Sequence, residues 1–219
     1  MQFKEFDPEN ATNLNCIAVI GKRSTGKTEL VRDILPHLKC SYHLVVGATI
    51  KYIENEETIP EYNEQIVADL LSKQKKALNT QREIGDVTQV PHACVVIDNY
   101  LHSNSNKSII SLFQNGIFLK TRVVLAVQSP IALPIQLRYN IDYVFIFGGR
   151  NMSHDMCLYT SYASSIFQSF EEFSQALDNI TSYPYMCMVI NNTACSKKLE
   201  DNVMWYKVNL CKKIEKNTS

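Results

Sequence analysis

One short segment of the chain has the glycine and lysine spacing of a phosphate-binding loop. The eight residues from Gly21 to Thr28 fit the pattern GxxxxGK[ST], in which backbone N–H groups of a tight turn face a phosphate at the start of a helix. We expect the Lys27 ammonium to reach the β and γ phosphates of a nucleotide and the Thr28 hydroxyl to bind Mg²⁺. The residues predicted to bind phosphate are Gly21, Lys22, Arg23, Ser24, Thr25, Gly26, Lys27 and Thr28.

A carboxylate that could complete a nucleotide site follows an apolar run further along the chain. Asp98 comes directly after the sequence Val-Val-Ile at residues 95–97, which predicts a buried strand. An aspartate in this position more often caps a turn, but the upstream loop favours a role in binding Mg²⁺ through water. The expected metal-binding residues are therefore Thr28 and Asp98, and the expected cofactors are ATP and Mg²⁺.

Two more polar residues follow this carboxylate and could act on the terminal phosphate. Gln128 ends the apolar run 123–127, so its amide could sense the γ-phosphate or orient water, or it could simply close a loop. Arg138 lies just before the next apolar run. It could reach the γ-phosphate of a neighbouring subunit, although an exposed arginine is more often only a solvated charge.

Strands and helices alternate around these residues. Apolar runs rich in β-branched residues predict strands at 15–20, 42–46, 93–97, 122–127 and 142–147. Amphipathic stretches predict helices after the phosphate loop, over about 66–82 and over 108–118, with Pro36 ending or kinking the first. This order is typical of an α/β fold, a mainly parallel sheet covered by helices on both faces. After residue 150 the pattern changes to helices at 156–162 and 170–180 and an appended β-hairpin at 186–190 and 203–208.

Length and composition are those of an ordinary folded protein. With 219 residues, we expect a single domain made of a nucleotide-binding core over 1–150 and an extension over 151–219 packed on it. Seven cysteines without a CxxC pair favour a reducing compartment and no zinc site. No run approaches the roughly 20 apolar residues of a transmembrane helix, so we expect no membrane insertion. The 22 basic and 22 acidic residues exclude a wholly basic DNA-coating protein.

Taken in order, these segments resemble the genome-packaging ATPases of the large nucleocytoplasmic DNA viruses, of the poxvirus and iridovirus type. Those proteins are a branch of the FtsK/HerA superfamily of P-loop ATPases with a RecA-like core. The resemblance covers nearly the whole chain. The matching segments are 19–35, 74–76, 97–101, 112–116, 127–130, 133–134, 137–146 and 200–207.

The resemblance implies roles at individual positions. Lys27 and Thr28 would bind phosphate and Mg²⁺, Asp98 would hold Mg²⁺, Gln128 would be the polar sensor and Arg138 an intersubunit arginine. Three departures from the family pattern put the rate of hydrolysis in doubt. A second acid usually follows the Mg²⁺ aspartate, but here Asn99 occupies that place, and an amide cannot act as a general base. The pattern Asn-Gly-Arg-His is Asn-Gly-Ile-Phe at 115–118, and Ser129 stands where an aromatic residue is usual.

Three functions are compatible with these residues. The first is an ATP-driven motor that assembles as a homo-oligomeric ring and moves viral double-stranded DNA into a capsid, docked on capsid or portal-site proteins. The second is a nucleotide-binding scaffold subunit of the packaging complex that hydrolyses weakly, which Asn99 makes reasonable. The third is a small-molecule kinase, but the chain has no arginine-rich lid segment. The resemblance implies a location at viral assembly sites in the host cytoplasm and in the virion.

Two sets of residues remain with open assignments. The basic residues Lys73, Lys75, Lys76 and Arg82 could contact DNA phosphates or form a solvated helix face. If Asn99 is not at the water-facing position, Glu83 or Asp86 before the third strand could supply the general base.

Overall fold

The described part of the chain folds around one nine-stranded sheet with helices on both faces. The computed structural model describes residues 3–11, 13–47, 52, 56–98, 107–149, 151–196 and 198–210. The strands are β1 (Lys4–Glu5), β2 (Cys16–Ile20), β3 (Tyr42–Val46), β4 (Glu57–Ile59), β5 (Ala93–Asp98), β6 (Thr121–Val127), β7 (Tyr143–Ile146), β8 (Met186–Asn191) and β9 (Val203–Lys207). The α-helices are α1 (Lys27–Ile34), α2 (Glu64–Ile84), α3 (Lys107–Asn115), α4 (Ile135–Arg138), α5 (Met152–Leu158), α6 (Phe170–Ile180) and α7 (Leu199–Asn202).

The order of the strands across the sheet is β1-β9-β8-β7-β2-β6-β5-β3-β4. Every neighbouring pair is parallel except the two pairs that involve β8, which is antiparallel to both β7 and β9. The predicted α/β class with a mainly parallel sheet is therefore confirmed. Strand β2, which leads into the phosphate loop, lies between β6 and β7 near the centre of the sheet.

The central strands are buried on both faces, as their continuous apolar sequences require. All five residues of β2 are buried, and alternate side chains enter different cores. Ala18 and Ile20 face the core covered by α2, α3 and α6, whereas Ile17 and Val19 face the core covered by α1. Strand β2 is thus fixed from both sides, which makes it a rigid support for the loop that follows it.

The first helix ends where its proline predicts. Helix α1 stops at Ile34, and Pro36 lies at the start of a short 3-10 helix, Leu35–Leu38. Because proline has no N–H and its ring crowds the preceding turn, the α-helical hydrogen bonds do not continue through it.

Several elements differ from the sequence expectations. Strands β8 and β9 form the expected hairpin, but β8 also hydrogen-bonds to β7, so the hairpin continues the central sheet instead of lying apart from it. Strands β1 and β4 and helices α4 and α7 were not predicted, because two to four residues are too few to show a periodic pattern. In the described ranges no helix is both long enough and apolar enough to cross a bilayer.

Candidate nucleotide-binding site

Three parallel strands bring the main candidate residues to one edge of the sheet. The phosphate loop follows β2, Gln128 follows β6, and Asp98 is the last residue of β5. These strands are neighbours in the order β2-β6-β5, and the Gly21 N–H donates to the Val127 carbonyl at 3.2 Å. The carboxyl ends of parallel strands at such an edge are where α/β folds bind ligands. Gln128 is exposed there, next to the start of the loop.

The loop backbone needs its glycines. Gly26, directly before α1, has φ 107°, a left-handed value that side chains disfavour. A Cβ on Gly21 would lie 2.6 Å from the Thr25 Oγ1, which itself donates to the Lys22 carbonyl at 2.9 Å. The chain therefore turns tightly enough to direct successive N–H groups into one concave site at the start of α1. The remaining loop residues, Arg23 and Ser24, are exposed.

Lys27 begins α1 and lies inside the turn. Its side chain is 8% exposed, and its Nζ donates to the carbonyls of Gly21 (2.7 Å) and Lys22 (2.8 Å). Burial lowers the pKa of Lys27, and the nearby Asp98 carboxylate acts in the opposite direction. The structure thus brings the two predicted catalytic charges close to each other. The Lys22 side chain points elsewhere and donates to the Gly149 carbonyl at 2.7 Å, so only its backbone faces the loop.

One further residue at this site, Tyr52, has no recognisable motif in the sequence. Its side chain is 3% exposed, and its hydroxyl donates to the Asp98 Oδ2 at 2.6 Å. Burial, followed by this hydrogen bond, raises the pKa of Tyr52, while a hydrogen bond with Thr28 lowers it. One tyrosine hydroxyl therefore joins the two predicted metal-binding residues. Tyr52 belongs to a polar connection between strands, where no periodicity shows which residue folds back onto the site.

Thr28 and Asp98 fit a magnesium ion. Both present hard oxygen atoms, and both lie within hydrogen-bonding distance of the same hydroxyl. Mg²⁺ in phosphate-transfer sites is typically held by one or two protein oxygens together with substrate phosphates and water. Over the part of the chain that the structure describes, no group of three or more His, Cys, Asp or Glu forms a self-sufficient metal cage, and Mg²⁺ with a nucleotide does not need one.

The candidates for the general base or its replacement are Asn99, Glu83 and Asp86. Asn99 lies outside the described residues, so its role stays a prediction. The alternatives, Glu83 and Asp86, are in the wrong place: they precede the start of β5, at the opposite edge of the sheet from Asp98. Asp86 there accepts a hydrogen bond from the Thr88 N–H at 3.0 Å and caps a short 3-10 helix. The expectation that one of them serves this chain's own nucleotide site is therefore wrong.

Arg138 is not part of the same cluster. It ends α4, in the connection that runs from the end of β6 back to the start of β7. Its Nε donates to the Leu133 carbonyl (2.8 Å), its Nη1 donates to the Ser161 Oγ (3.0 Å), and the guanidinium lies over the Tyr162 ring at 5.6 Å. The structure therefore places Arg138 away from the phosphate loop of its own chain, and an action on a neighbouring subunit stays a prediction.

The basic residues of α2 are exposed but face two directions. Lys75 and Arg82, seven residues apart, line a groove of about 490 Å³ between α2 and α3. Lys73 lies on another side of the helix, beside Asp69 and a surface formed with β3. In the described residues none of Lys73, Lys75, Lys76 and Arg82 forms an ion pair within 4.0 Å. Lys75 and Arg82 are therefore placed to contact one ligand in this groove together.

Comparison with solved structures shows the fold. The structure is similar to the genome packaging NTPase B204 from Sulfolobus turreted icosahedral virus 2 in complex with ATP-gammaS, with TM-score 0.61, 12% identity and coverage of 90% of this chain and all of that one. It is also similar to the pCW3 conjugation coupling protein TcpA with ATPgS, with TM-score 0.62, 14% identity and coverage of 88% of this chain and 60% of that one.

Comparison with known sequences shows the family. No protein-family model matches the chain. The uncharacterized protein L437 of Acanthamoeba polyphaga mimivirus is 27% identical over 94% of this chain and 77% of that protein. The uncharacterized protein 075L of Invertebrate iridescent virus 6 is 30% identical over 91% of this chain and 77% of that protein. The chain therefore belongs to the family of large nucleocytoplasmic DNA virus proteins that includes 075L, and it has the P-loop ATPase fold of the viral genome-packaging NTPases.

Proposed function

We propose that the chain is an ATP-driven motor that moves viral double-stranded DNA into the capsid during virion assembly. The observation that carries the proposal is the arrangement of the phosphate loop, Asp98 and Gln128 at one edge of a sheet with the fold of a packaging NTPase. A P-loop fold by itself serves many functions. Membership of a viral family, together with the likeness to B204, favours packaging over the other functions of this fold.

Each residue of the site has a distinct task in this reaction. The loop N–H groups and the Lys27 ammonium bind the β and γ phosphates of ATP, which places the γ-phosphate toward Asp98 and Gln128. Mg²⁺, held by Thr28 and Asp98, would neutralise charge that develops on the transferred phosphoryl group. Gln128 and Asn99 orient the attacking water through their amides. Neither amide can accept the proton that the attacking water loses, so we expect slow hydrolysis by an isolated subunit.

The same proposal requires partners. A chain with formal net charge zero has no overall attraction for DNA, so a homo-oligomeric ring is the arrangement that would concentrate basic side chains around a duplex. In such a ring Arg138 of one subunit acts on the γ-phosphate bound by the next. The ring is docked on capsid or portal-site proteins at viral assembly sites in the host cytoplasm. Contacts with the phosphate backbone alone would suit a motor that must move along every sequence alike.

A second function is favoured by one specific observation, the amide at position 99. Without a general base next to Asp98, the chain could bind ATP and serve as a scaffold subunit that hydrolyses it weakly. Asn99 does not by itself decide between the two functions. A water molecule that an assembled ring orients well can still attack the γ-phosphate without a strong base.

The experiment measures ATP turnover by the purified protein with and without duplex DNA, and images the same samples by electron microscopy. We expect rings that hydrolyse ATP faster on DNA, and we expect Lys27→Ala to remove nucleotide binding. Lys4→Ala is the matched control, because it removes an exposed lysine from the edge strand β1. Rings that assemble on duplex DNA without any turnover would support the scaffold function instead.

A further inference from the structure

A cavity of about 360 Å³ opens directly beside the phosphate loop. Its lining includes Ser24 and Thr25 of the loop and the segment 181–186, which leads into β8. Phe147, the residue after β7, also lines it. This volume lies in the range of small-molecule sites, and the proposed chemistry of phosphate transfer does not use it.

The strand order fixes which end of a nucleotide could reach this cavity. Strand β2 lies between β6 and β7. Asp98 and Gln128, which would face the terminal phosphate, both lie on the β6 side of the loop. A nucleotide whose terminal phosphate points toward β6 must extend its nucleoside in the opposite direction, over β7 and β8. That direction leads to the cavity.

Two tyrosines give the cavity an aromatic lining. The Tyr185 ring lies against the loop, because a Cβ on Gly26 would be 2.8 Å from the Tyr185 Cδ1. Tyr185 also has φ 63°, a left-handed value that is uncommon for a residue with a large side chain. Tyr183 is 70% exposed, so its ring is open to a stacking partner. Any nucleobase can stack on such a ring, since every base has a π-face.

The polar groups of the cavity do not form the paired hydrogen bonds that would distinguish one base from another. The Thr181 hydroxyl donates to the Leu177 carbonyl (2.8 Å), and the Ser182 hydroxyl donates to the Asn179 carbonyl (3.0 Å). Each hydroxyl has a single proton, so both present only acceptor lone pairs to the cavity. Among the described residues that line it, there is no amide, carboxylate or guanidinium side chain that could form paired hydrogen bonds with a base edge.

We propose that this cavity is the site for the base of the bound nucleotide, and that the base is held by stacking on Tyr183 and Tyr185. The inference rests on the proposed function, because the phosphate loop must first bind the triphosphate. It assigns the segment 181–186, outside the phosphate loop, to nucleotide recognition. The ligand class is a purine nucleoside triphosphate, whose two-ring base offers the larger stacking face.

The test compares the binding of MgATP and of magnesium tripolyphosphate, which has the phosphates but no nucleoside, by calorimetry. In Tyr183→Ala we expect ATP affinity to fall about 5- to 150-fold, the range of base–aromatic stacking, while tripolyphosphate affinity stays at the parent value. Tyr183→Phe keeps the ring and should bind ATP like the parent. Because Tyr183 is largely exposed, its truncation leaves the core intact, and thermal unfolding verifies this.

The outcomes separate the inference from the function on which it rests. If the parent binds tripolyphosphate but Tyr183→Ala binds ATP as tightly as the parent does, the base site is overturned and the phosphate loop stands. An equal loss of affinity for both ligands also overturns it, because stacking cannot act on a ligand without a base. If the parent binds neither ligand, the proposed function itself fails.

Discussion

Lys27 carries its positive charge in surroundings that disfavour it, and this has a measurable consequence. Burial lowers its pKa in the free protein, whereas bound phosphates would favour the ammonium form. ATP binding should therefore take up protons, and the uptake should be larger at a pH approaching the usual lysine pKa of about 10.4 than at about pH 7. Calorimetry in two buffers of different ionisation enthalpy measures this uptake. No difference between the buffers at the higher pH would contradict the expectation, and Lys4→Ala should behave like the parent.

The amide at position 99 leads to a second prediction, on the rate of ATP hydrolysis. A positioned base typically contributes about 10²- to 10⁴-fold in rate, so Asn99→Asp or Asn99→Glu should raise DNA-stimulated turnover by a measurable part of that factor. Asp98→Asn should abolish Mg²⁺-dependent turnover, since it removes the carboxylate beside Thr28.

The outcome that would contradict the role of Asn99 is a flat or lowered turnover in both acidic variants. Glu83→Gln serves as the comparison, because Glu83 lies before the start of β5, away from Asp98. Its turnover should equal that of the parent.

The residues of the site differ in how far the sequence predicts their positions. The phosphate loop is local in sequence, so its spacing alone predicted the turn that Gly26 and Lys27 adopt. Asp98 follows a buried strand, and parallel pairing brought it to the loop. Tyr52 could not be found in this way. Its contact with Asp98 joins residues 46 positions apart and depends on how one polar connection folds back, which no pattern in the sequence records.

At the scale of elements, the C-terminal hairpin is tied to the phosphate-loop helix by a buried hydrogen bond. The Tyr206 hydroxyl of β9 donates to the Asp33 Oδ2 of α1 at 2.8 Å, and the Asn209 N–H donates to the same oxygen at 2.8 Å. Both side chains are buried. Because removing a buried donor to a charged group costs about 1.5–3 kcal/mol, Tyr206→Phe should lower the free energy of unfolding by that amount, as measured in urea.

A matched control separates this hydrogen bond from a general effect of losing a hydroxyl. Tyr139 is 81% exposed, so Tyr139→Phe should change the free energy of unfolding by less than about 0.5 kcal/mol. Equal stability of Tyr206→Phe and the parent would show that the bond does not hold the hairpin on α1.

Helix α2 offers a second prediction at the element scale, on DNA binding. Lys75 and Arg82 share a groove, whereas Lys73 faces another side of the helix. If the groove meets the DNA backbone, the double variant Lys75→Gln/Arg82→Gln should reduce the slope of log affinity against log salt by about 1.8, because each phosphate contact contributes about 0.9. Lys73→Gln is the control on the same helix and should leave the slope unchanged. If Lys73→Gln lowers the slope and the double variant does not, the DNA contact lies on the side of α2 that carries Lys73.

Elements were predictable to the extent that they were long and periodic. The 21-residue helix α2 and the apolar strands β3 and β6 were evident from the sequence. The direction of β8 and its pairing with β7 were not, because apolar runs do not show which neighbour a strand chooses. The C-terminal segment therefore looked like an appendage, although it extends the sheet that carries the phosphate loop.

At the scale of the whole molecule, the candidate catalytic groups are divided between two regions of one chain. Lys27, Asp98 and Gln128 share the carboxyl edge of the sheet, while Arg138 lies in the connection that leads to the start of β7. The Arg138 guanidinium of a single subunit hydrogen-bonds to Leu133 and Ser161 and does not join that cluster. A ring, in which the α4 region of one subunit faces the nucleotide of the next, would bring this positive charge to the γ-phosphate.

Mixtures of inactive subunits test whether Arg138 acts across such a boundary. Arg138→Ala alone should lower turnover steeply, because arginines supplied by a neighbour contribute about 10³- to 10⁵-fold in phosphoryl transfer. When Arg138→Ala is mixed with Lys27→Ala, some interfaces join an intact phosphate loop to an intact arginine, so part of the turnover should return. A mixture of Lys27→Ala with Asp98→Asn should stay inactive, because both residues serve the same site and no subunit keeps both. Arg138→Ala also removes hydrogen bonds to Leu133 and Ser161, so thermal unfolding and ring assembly of this variant are measured in parallel. Rings that assemble from Arg138→Ala and Lys27→Ala but hydrolyse no faster than either variant alone would show that Arg138 does not act in the neighbouring subunit.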